Sequence, residues 1–402
     1  MDILMLAQYF GSIEQLDQSN NRFVYLAELL AKQYSVEVLT TSFVHAKKQH
    51  GENIPTEYRG FRITALQEPG YPKNVCLKRF YSHKVLASRI KKYLTTRKKP
   101  DVIYCAVPSL DCAYVVARYA KRNQIPFVLD IQDLWPEAFK MVFRVPVLKD
   151  LLFLPMMRKA DRIYACADHI VGVSHTYCDR AKKVNPGAPA TPVFIGTNLD
   201  TFDRNVKDNL VERQDEHLVL CYCGTLGHSY DLKCVFDALQ IVQAKGYGNI
   251  EFWVIGRGPL TQSFQKYAEE RKVNVKFLGW MPYEQMCGVL AACDICVNPI
   301  RKGTAASIIN KHADYAAAGH AVINTQDTPE YRNLVDKYHC GINCTCGDPQ
   351  SVANAIIYLA EHGEERVQMG FNARRMAADL FNRKNTYPQL LCIIEEAVRK
   401  DS

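Results

Sequence analysis

The chain has 402 residues, 48% of them apolar and 23% charged, and a formal net charge of +8. That length exceeds what one hydrophobic core usually serves, so two domains are expected, and the composition excludes a disordered or fibrous chain. No stretch approaches roughly 18 uninterrupted apolar residues, which excludes a membrane-spanning helix.

The charge is unevenly spread. Residues 1–195 carry 28 Lys and Arg against 17 Asp and Glu, a net of +11, while residues 196–402 carry 22 against 25, a net of −3. A basic half joined to a nearly neutral half suggests two different ligands. The start MDILMLAQYF lacks a basic leader and has too short an apolar run for a signal peptide. The fifteen cysteines are scattered. Cys293 and Cys296 form a lone CxxC on an expected buried strand, and Cys340, Cys344 and Cys346 lack a second ligand pair at zinc spacing. Reduced thiols in a cytoplasmic setting are expected, with no metal site.

In chain order, the first half alternates short apolar runs with helical ones. Strands are expected at Ile3–Leu6, Val36–Thr40, Val102–Val107, Phe127–Ile131 and Ile170–Ser174. Helices are expected at Asn21–Gln33, Val75–Leu94, Leu110–Asn123, Val147–Tyr164 and His175–Lys183. The second half repeats the pattern, with strands near Leu218–Cys223, Ile250–Ile255, Val275–Leu278, Ile295–Asn298, Ala321–Asn324 and Gly341–Cys344. Its helices fall near Leu232–Lys245, Leu260–Arg271, Tyr283–Ala292, Ser307–Ala318, Glu330–Lys337 and Gln350–His362. Such alternation predicts two parallel sheets covered on both faces, with sites at the carboxyl ends of the strands. Apolar periodicity lapses near 196–215. The expected division is 1–197, 198–382 and a terminal helix, 383–402, that crosses back to the first domain.

The segment Asn298–Asn324 carries the densest chemistry. Ser307 is the expected N-cap of its helix and Gly319 the expected stop. At 100° per residue Ser307, Asn310, Lys311 and Asp314 share one stripe, apart from Ile308, His312 and Tyr315. The first-turn amides of Ile308, Ile309 and Asn310 lack intrahelical partners and suit an anion. Ser307 and Asp314 stand roughly 10 Å apart along the axis, about the reach from a diphosphate to a ribose.

Elsewhere, AQYFGSIEQLDQSNNRF is a long polar loop rather than a GxGxxG turn, and brings Asn20, Asn21 and Arg22 to a helix start. DIQDLWPEAF clusters Asp133, Trp135 and Glu137 where a cleft would lie. Gly224 and Gly227, ahead of His228, and the IGRGP turn with Arg257 place glycines at strand ends, where backbone can approach a ligand closely. From Lys73 to Lys99 there are ten Lys or Arg and no Asp or Glu. With Phe80, Tyr81, Leu86 and Tyr93 interleaved, this is the composition of a basic amphipathic helix on anionic lipid, displaying Lys78, Arg79, Lys84, Arg89, Lys91 and Lys92. Phe139–Lys159 is a second such segment. No nucleic-acid-binding module accompanies the charge.

On the blocks NRFVYLAELLAKQYSVEVLTT, DIQDLWPEAF, FIGTNLDTFD, YCGTLGHSYDL and SIINKHADYAAAGHAVI, the chain resembles glycosyltransferase family 4. It is similar to the bacterial branch that builds capsule, O-antigen and exopolysaccharide. The resemblance implies an α/β protein of two Rossmann-like domains facing across a cleft (GT-B). It implies retention of configuration, a nucleotide-sugar donor of the UDP type and a polyprenyl-diphosphate-linked saccharide acceptor. Asp314 would bind the ribose, the helix start at Ser307–Asn310 the diphosphate, and the crest at Gly224–Gly227 would lie beside the sugar. Asn20–Arg22 and Asp133–Glu137 would face the acceptor.

The family's Glu-x7-Glu pattern departs here, with Ala306 at the first position and Asp314 at the second. The usual diphosphate-clamping arginine and lysine would fall near Thr225 and Tyr230. Compensating charge is then expected from Lys311, the catalytic cation, and from His228, Arg257, Arg301 or Lys302. Asp133 is the candidate for orienting the acceptor hydroxyl. The chain contains no Asp-x-Asp, so no metal and no cofactor beyond the nucleotide sugar is expected. The expected setting is peripheral attachment to the inner face of the membrane, with other polysaccharide-assembly enzymes as candidate partners. Two rivals are a nucleotide-sugar 2-epimerase on the same fold and a non-catalytic nucleotide-sugar-binding partner.

Overall fold

The computed structural model describes residues 1–11, 20–52, 54–74, 76–140, 146–213, 217–304 and 307–399. Val75 and Ala306 lie outside these residues, as does most of the polar loop ahead of Asn20. The chain divides into one unit of Met1–Phe194 with Thr386–Ser402 and another of Ile195–Asn385. The expected boundaries are therefore each off by about three residues.

The first unit is built on an eight-stranded sheet in the order Ala190–Pro192, His169–Gly172, Phe127–Ile131, Val102–Val107, Asp2–Leu6, Ser35–Thr41, Phe61–Leu66, Glu57–Tyr58. All pairs are parallel except the last. Asp2–Leu6 sits mid-sheet between Ser35–Thr41 and Val102–Val107, and its last four residues are buried, as a strand covered on both faces requires. The helix Pro388–Arg399 belongs to this unit, as anticipated. It buries Leu390, Ile393, Ile394 and Ala397, a 3-4-7 stripe, in a core with Ile3, Met5, Val102 and Tyr104. Phe61–Leu66, Glu57–Tyr58 and Ala190–Pro192 are strands missed in sequence, since they are short and only partly buried.

The second unit holds a six-stranded parallel sheet in the order Val275–Gly279, Ile250–Ile255, Leu218–Cys223, Ile295–Asn298, Ala321–Asn324, Gly341–Asn343. In chain terms this is 3-2-1-4-5-6, with the direction of winding reversing between the first and fourth strands. That switch point is where open α/β sheets bind ligands. Gly363–Met376 stays with this unit, packed on the helix Asn310–Ala318.

Candidate functional site

The loop after the fourth strand leads into the helix Asn310–Ala318 beside the switch point. Gly319 ends it at φ +72°, as expected. Its start differs: Ile309, extended at φ −120° and ψ 162°, is the cap residue, so the helix begins three residues after Ser307. The cause is a buried polar cluster. Asn298, Asn324 and Asn343 end three adjacent strands in register, and their amides form a ladder with two 2.8 Å hydrogen bonds. Asn298 also meets His312 Nε2 at 3.2 Å, and the His312 ring stacks on Tyr331 at 3.4 Å. Gln326 Nε2 donates to the Ser307 carbonyl at 2.7 Å, and Ser307 Oγ donates to Glu330. Ser307 is thus fully buried, with its hydroxyl and carbonyl engaged by Glu330 and Gln326. Ile308 is buried too, and the Ile309 amide is taken by His312 Nδ1 at 3.3 Å. With the helix starting at Asn310, the first-turn amides without an intrahelical partner are those of Asn310 and Lys311. Asn310 is exposed.

Lys311 is 7% exposed, and among the described residues its Nζ has no hydrogen-bond partner. The ammonium lies 4.0 Å from the Tyr222 ring centre and 3.8 Å from that of Tyr230. Tyr230, where the family's clamping lysine would fall, instead offers Lys311 an aromatic face. Burial lowers the Lys311 pKa to about 7. A Cβ on Gly224 would sit 2.9 Å from this nitrogen, so the crest glycine is the wall of the lysine's chamber. Tyr315 holds the helix to the sheet, donating to the Val297 carbonyl at 3.1 Å and accepting from the Cys223 amide at 2.9 Å.

One turn on, Asp314 Oδ1 accepts from Tyr283 Oη at 2.9 Å, and Tyr283 in turn meets Thr197 Oγ1 at 2.8 Å. Burial raises the Asp314 pKa to about 6, against the opposing Tyr283 hydrogen bond and Arg383 charge. Among the described residues nothing bonds Oδ2. A carboxylate fixed through one oxygen presents the other to a vicinal diol. Tyr222, Tyr230, Tyr283 and the asparagine ladder escape sequence reading. The shared signal was the Asn closing ICVN, AVIN and GIN.

The remaining donor candidates are more open. Gly227 is buried, and His228 and Arg257 are exposed. Arg257 lies 5.5 Å from the ring of Trp280, itself 60% exposed at the neighbouring strand end. Arg301 and Lys302 are exposed on the loop before the helix.

In the first unit several assignments need correction. Asn21 caps the helix Arg22–Ala31: its Oδ1 accepts from the Phe23 amide at 2.8 Å and its Nδ2 donates to the Phe10 carbonyl, leaving the side chain little to offer an acceptor. Arg22 is 4% exposed and paired with the buried Asp130 at 3.2 Å, so it holds the sheet together. Asn20, just ahead of the cap, is partly exposed. Trp135 is buried, and its Nε1 donates to Asp133 Oδ2 at 3.2 Å. Burial raises the Asp133 pKa, against the Trp135 hydrogen bond. Glu137 pairs with Arg180 at 2.6 Å.

The basic helix spans Leu77–Thr96. Lys78, Lys84, Arg89, Lys91 and Lys92 face outward, but Arg79 is buried on the opposite stripe with Ser82, His83, Leu86, Ala87, Ile90 and Leu94. Arg79 therefore leaves the membrane-docking set. Leu86 is buried and Tyr93 Oη is bonded to Glu37, so neither inserts outward. The charge run is not uncompensated either: Arg97 pairs with Asp2 at 2.8 Å and Glu37 at 2.6 Å.

Residues 19–195 match the family described as "Glycosyl transferase 4-like domain", and residues 217–362 the one described as "Glycosyl transferases group 1". A curated relative, named for colanic acid biosynthesis, is the glycosyl transferase WcaI of Escherichia coli (strain K12). It is 24% identical over 269 residues, 64% of each chain, so this chain spans just under two thirds of that relative's length. Among solved structures, sucrose-phosphate synthase from Thermosynechococcus elongatus has a TM-score of 0.72 at 16% identity, covering 98% of both chains. Anabaena HepE in complex with UDP-glucose has a TM-score of 0.67 at 16% identity, covering 98% of this chain and 100% of that one. Fold and family domains together define a glycosyltransferase of the GT-B fold. The two matches together span most of the chain, and both describe glycosyltransferase domains.

Proposed function

We propose that the protein moves a sugar from a uridine diphosphate donor to a lipid-linked saccharide of a bacterial surface polysaccharide, with retention of configuration and without a divalent metal. The observation that carries this reading is the buried Lys311 ammonium, without a hydrogen-bond partner among the described residues, beside the helix start at the switch point. An unpaired buried charge is costly unless an anion completes it. A diphosphate there gains Nζ and the first-turn amides, and the ribose gains Asp314. As the glycosidic bond breaks, the charge growing on the leaving phosphate meets these fixed donors. The departing phosphate takes the acceptor hydroxyl's proton, with Asp133 positioning the acceptor. Support for the substrate classes comes from the UDP-glucose complex of HepE and from the colanic acid relative. The test is label transfer from UDP-sugars into the organic-soluble fraction of bacterial membranes in the presence of EDTA. Transfer that survives EDTA is expected. Strict dependence on Mg²⁺ or Mn²⁺, or release of a free 2-epimer without an acceptor, overturns the reading.

We further propose that the first unit docks on the inner face of the membrane. No described helix is long and apolar enough to cross a bilayer. Leu77 is 87% exposed and Tyr81 61%, beside the outward lysines. The helix Pro146–Tyr164 adds Leu151 and Leu152, also exposed, and both helices line one cavity of about 260 Å³ through Phe80, Lys84, Pro155 and Met156. Each cation near an anionic leaflet gains about 1 kcal/mol. Changing Lys78, Lys84, Lys91 and Lys92 together to Glu is expected to abolish flotation with phosphatidylglycerol vesicles and spare nucleotide binding. Undiminished flotation of that variant would exclude this surface.

A further inference from the structure

A second cationic centre stands at the carboxyl ends of the first unit's strands, near the switch between Asp2–Leu6 and Val102–Val107. Arg79 is 7% exposed, yet among the described residues it forms no salt bridge. Its guanidinium is walled by rings, 4.6 Å from the centre of Trp135, 5.4 Å from Tyr71 and 5.9 Å from Tyr9. Nη2 donates to Tyr9 Oη at 2.8 Å, Nη1 donates to the Asn74 carbonyl at 2.7 Å, and the buried Nε has no partner among the described residues. Lys48 comes to the same place from a different loop. Its Nζ donates to Asn74 Oδ1 at 2.5 Å and lies 3.2 Å from His45 Nδ1, again with no carboxylate. Two cations thus converge on the two neutral oxygens of one exposed residue, Asn74.

The surrounding groups do not neutralise them. Burial and neighbouring cations push His45 and His83 down to about 3, so both are neutral. The nearby acids are already engaged: Glu68 accepts from Ser82 Oγ at 2.6 Å, and Asp133 from Trp135. Burial raises the phenols of Tyr9 and Tyr71, which remain hydrogen-bond donors. A guanidinium fork and an ammonium on the oxygens of the exposed Asn74, with phenolic hydroxyls beside them, form a set matched to a tetrahedral oxyanion.

We propose that Arg79, Lys48 and Tyr9 form a phosphate-ester site, whose ligand oxygens replace those of Asn74. This rests on reading the first unit as the acceptor side, and names the residues that would hold a phosphorylated acceptor there. The phosphate comes either from a lipid diphosphate or from a soluble sugar phosphate.

The experiment titrates the full chain, with the donor site saturated by UDP, with farnesyl diphosphate, glucose 6-phosphate and inorganic phosphate. Saturable binding of farnesyl diphosphate, weakened about tenfold by Lys48→Ala and more by Arg79→Gln, is the expected result. Binding of glucose 6-phosphate but not farnesyl diphosphate, with the same loss in both variants, supports the site and assigns it to the soluble source. Lys48 is half-buried on a loop, so its variant reads the site even where Arg79→Gln fails to fold. Equal binding by wild type and Lys48→Ala, or binding of none of the three probes, overturns the proposal. UDP affinity of the variants is measured in parallel: its retention locates any failure here, and its absence in the wild type locates failure in the donor reading.

Discussion

Lys311→Met is expected to lower affinity for a nucleotide sugar by one to two orders of magnitude while making the protein more stable. The lost contact is charge-assisted and worth about 1.5–3 kcal/mol, which is roughly ten- to a hundredfold in affinity. Stability moves the other way because the ammonium is buried among Tyr222, Tyr230 and Gly224 with no hydrogen bond. Replacing even a buried ion pair with apolar side chains of similar volume is neutral or stabilising by up to about 4 kcal/mol, and an unpaired charge has no partner to offset its desolvation. The pH dependence has a definite sign. Lys311 falls to about 7 in the folded chain, below its ordinary range, so the unfolded chain binds more protons above pH 7. Stability therefore rises with pH from about 7 towards the ordinary lysine range, and the penalty is fully present below it. Thermal unfolding of wild type and variant across that range checks this. A variant no more stable than wild type at pH 6 would remove the buried charge from the account.

Gly224→Ala is expected to cost nearly as much affinity, for a different reason, and to cost stability as well. Gly224 adopts φ +148°, which a side chain rarely tolerates, and the new methyl would stand 2.9 Å from Lys311 Nζ and 3.2 Å from Cε. The lysine must leave its chamber or the strand end must move. Gly256 stacks directly on this turn, its own Cβ position only 2.0 Å from the Gly224 carbonyl oxygen, so the strand end has little freedom. Gly227→Ala is the control. There the Cβ meets only Thr225 Cγ2, at an ordinary 3.6 Å, and the fold should be unaffected. Nucleotide-sugar titration and thermal unfolding of the two variants separate the cases. Wild-type affinity in Gly224→Ala would show that the crest and the lysine act independently.

Periodicity made much of this legible. The alternation of strands and helices and the Gly319 stop rest on local patterns, and the structure has both, whereas of the expected stripe Ser307, Asn310, Lys311 and Asp314 the first lies ahead of the helix. The structure also has the return of the last helix, which buries Leu390, Ile393, Ile394 and Ala397 in the first unit's core. What failed depended on residues distant in sequence. Ser307 loses its capping role to Gln326 and Glu330, and the helix starts late because Asn298 and Tyr331 hold His312. Arg79 and Lys78 are adjacent in a uniformly basic run, and only the neighbours Tyr9, Tyr71 and Trp135 decide that one is buried. Arg97 finds its acids at Asp2 and Glu37, far outside the run in which it was counted.

The measurement that tests the central claim most directly is the proton balance of donor binding. A nucleotide sugar carries no group of its own that titrates near neutrality, so protons exchanged on binding belong to the protein. At pH 8 Lys311 is largely neutral in the free protein, since its pKa is about 7, and a diphosphate placed against Nζ must recharge it. Calorimetric titration with UDP-glucose in buffers of differing ionisation enthalpy should therefore report uptake approaching one proton at pH 8, less at pH 6, and none with Lys311→Met. Tight binding by wild type with no proton uptake at pH 8 would contradict the assignment of Lys311 to the donor diphosphate.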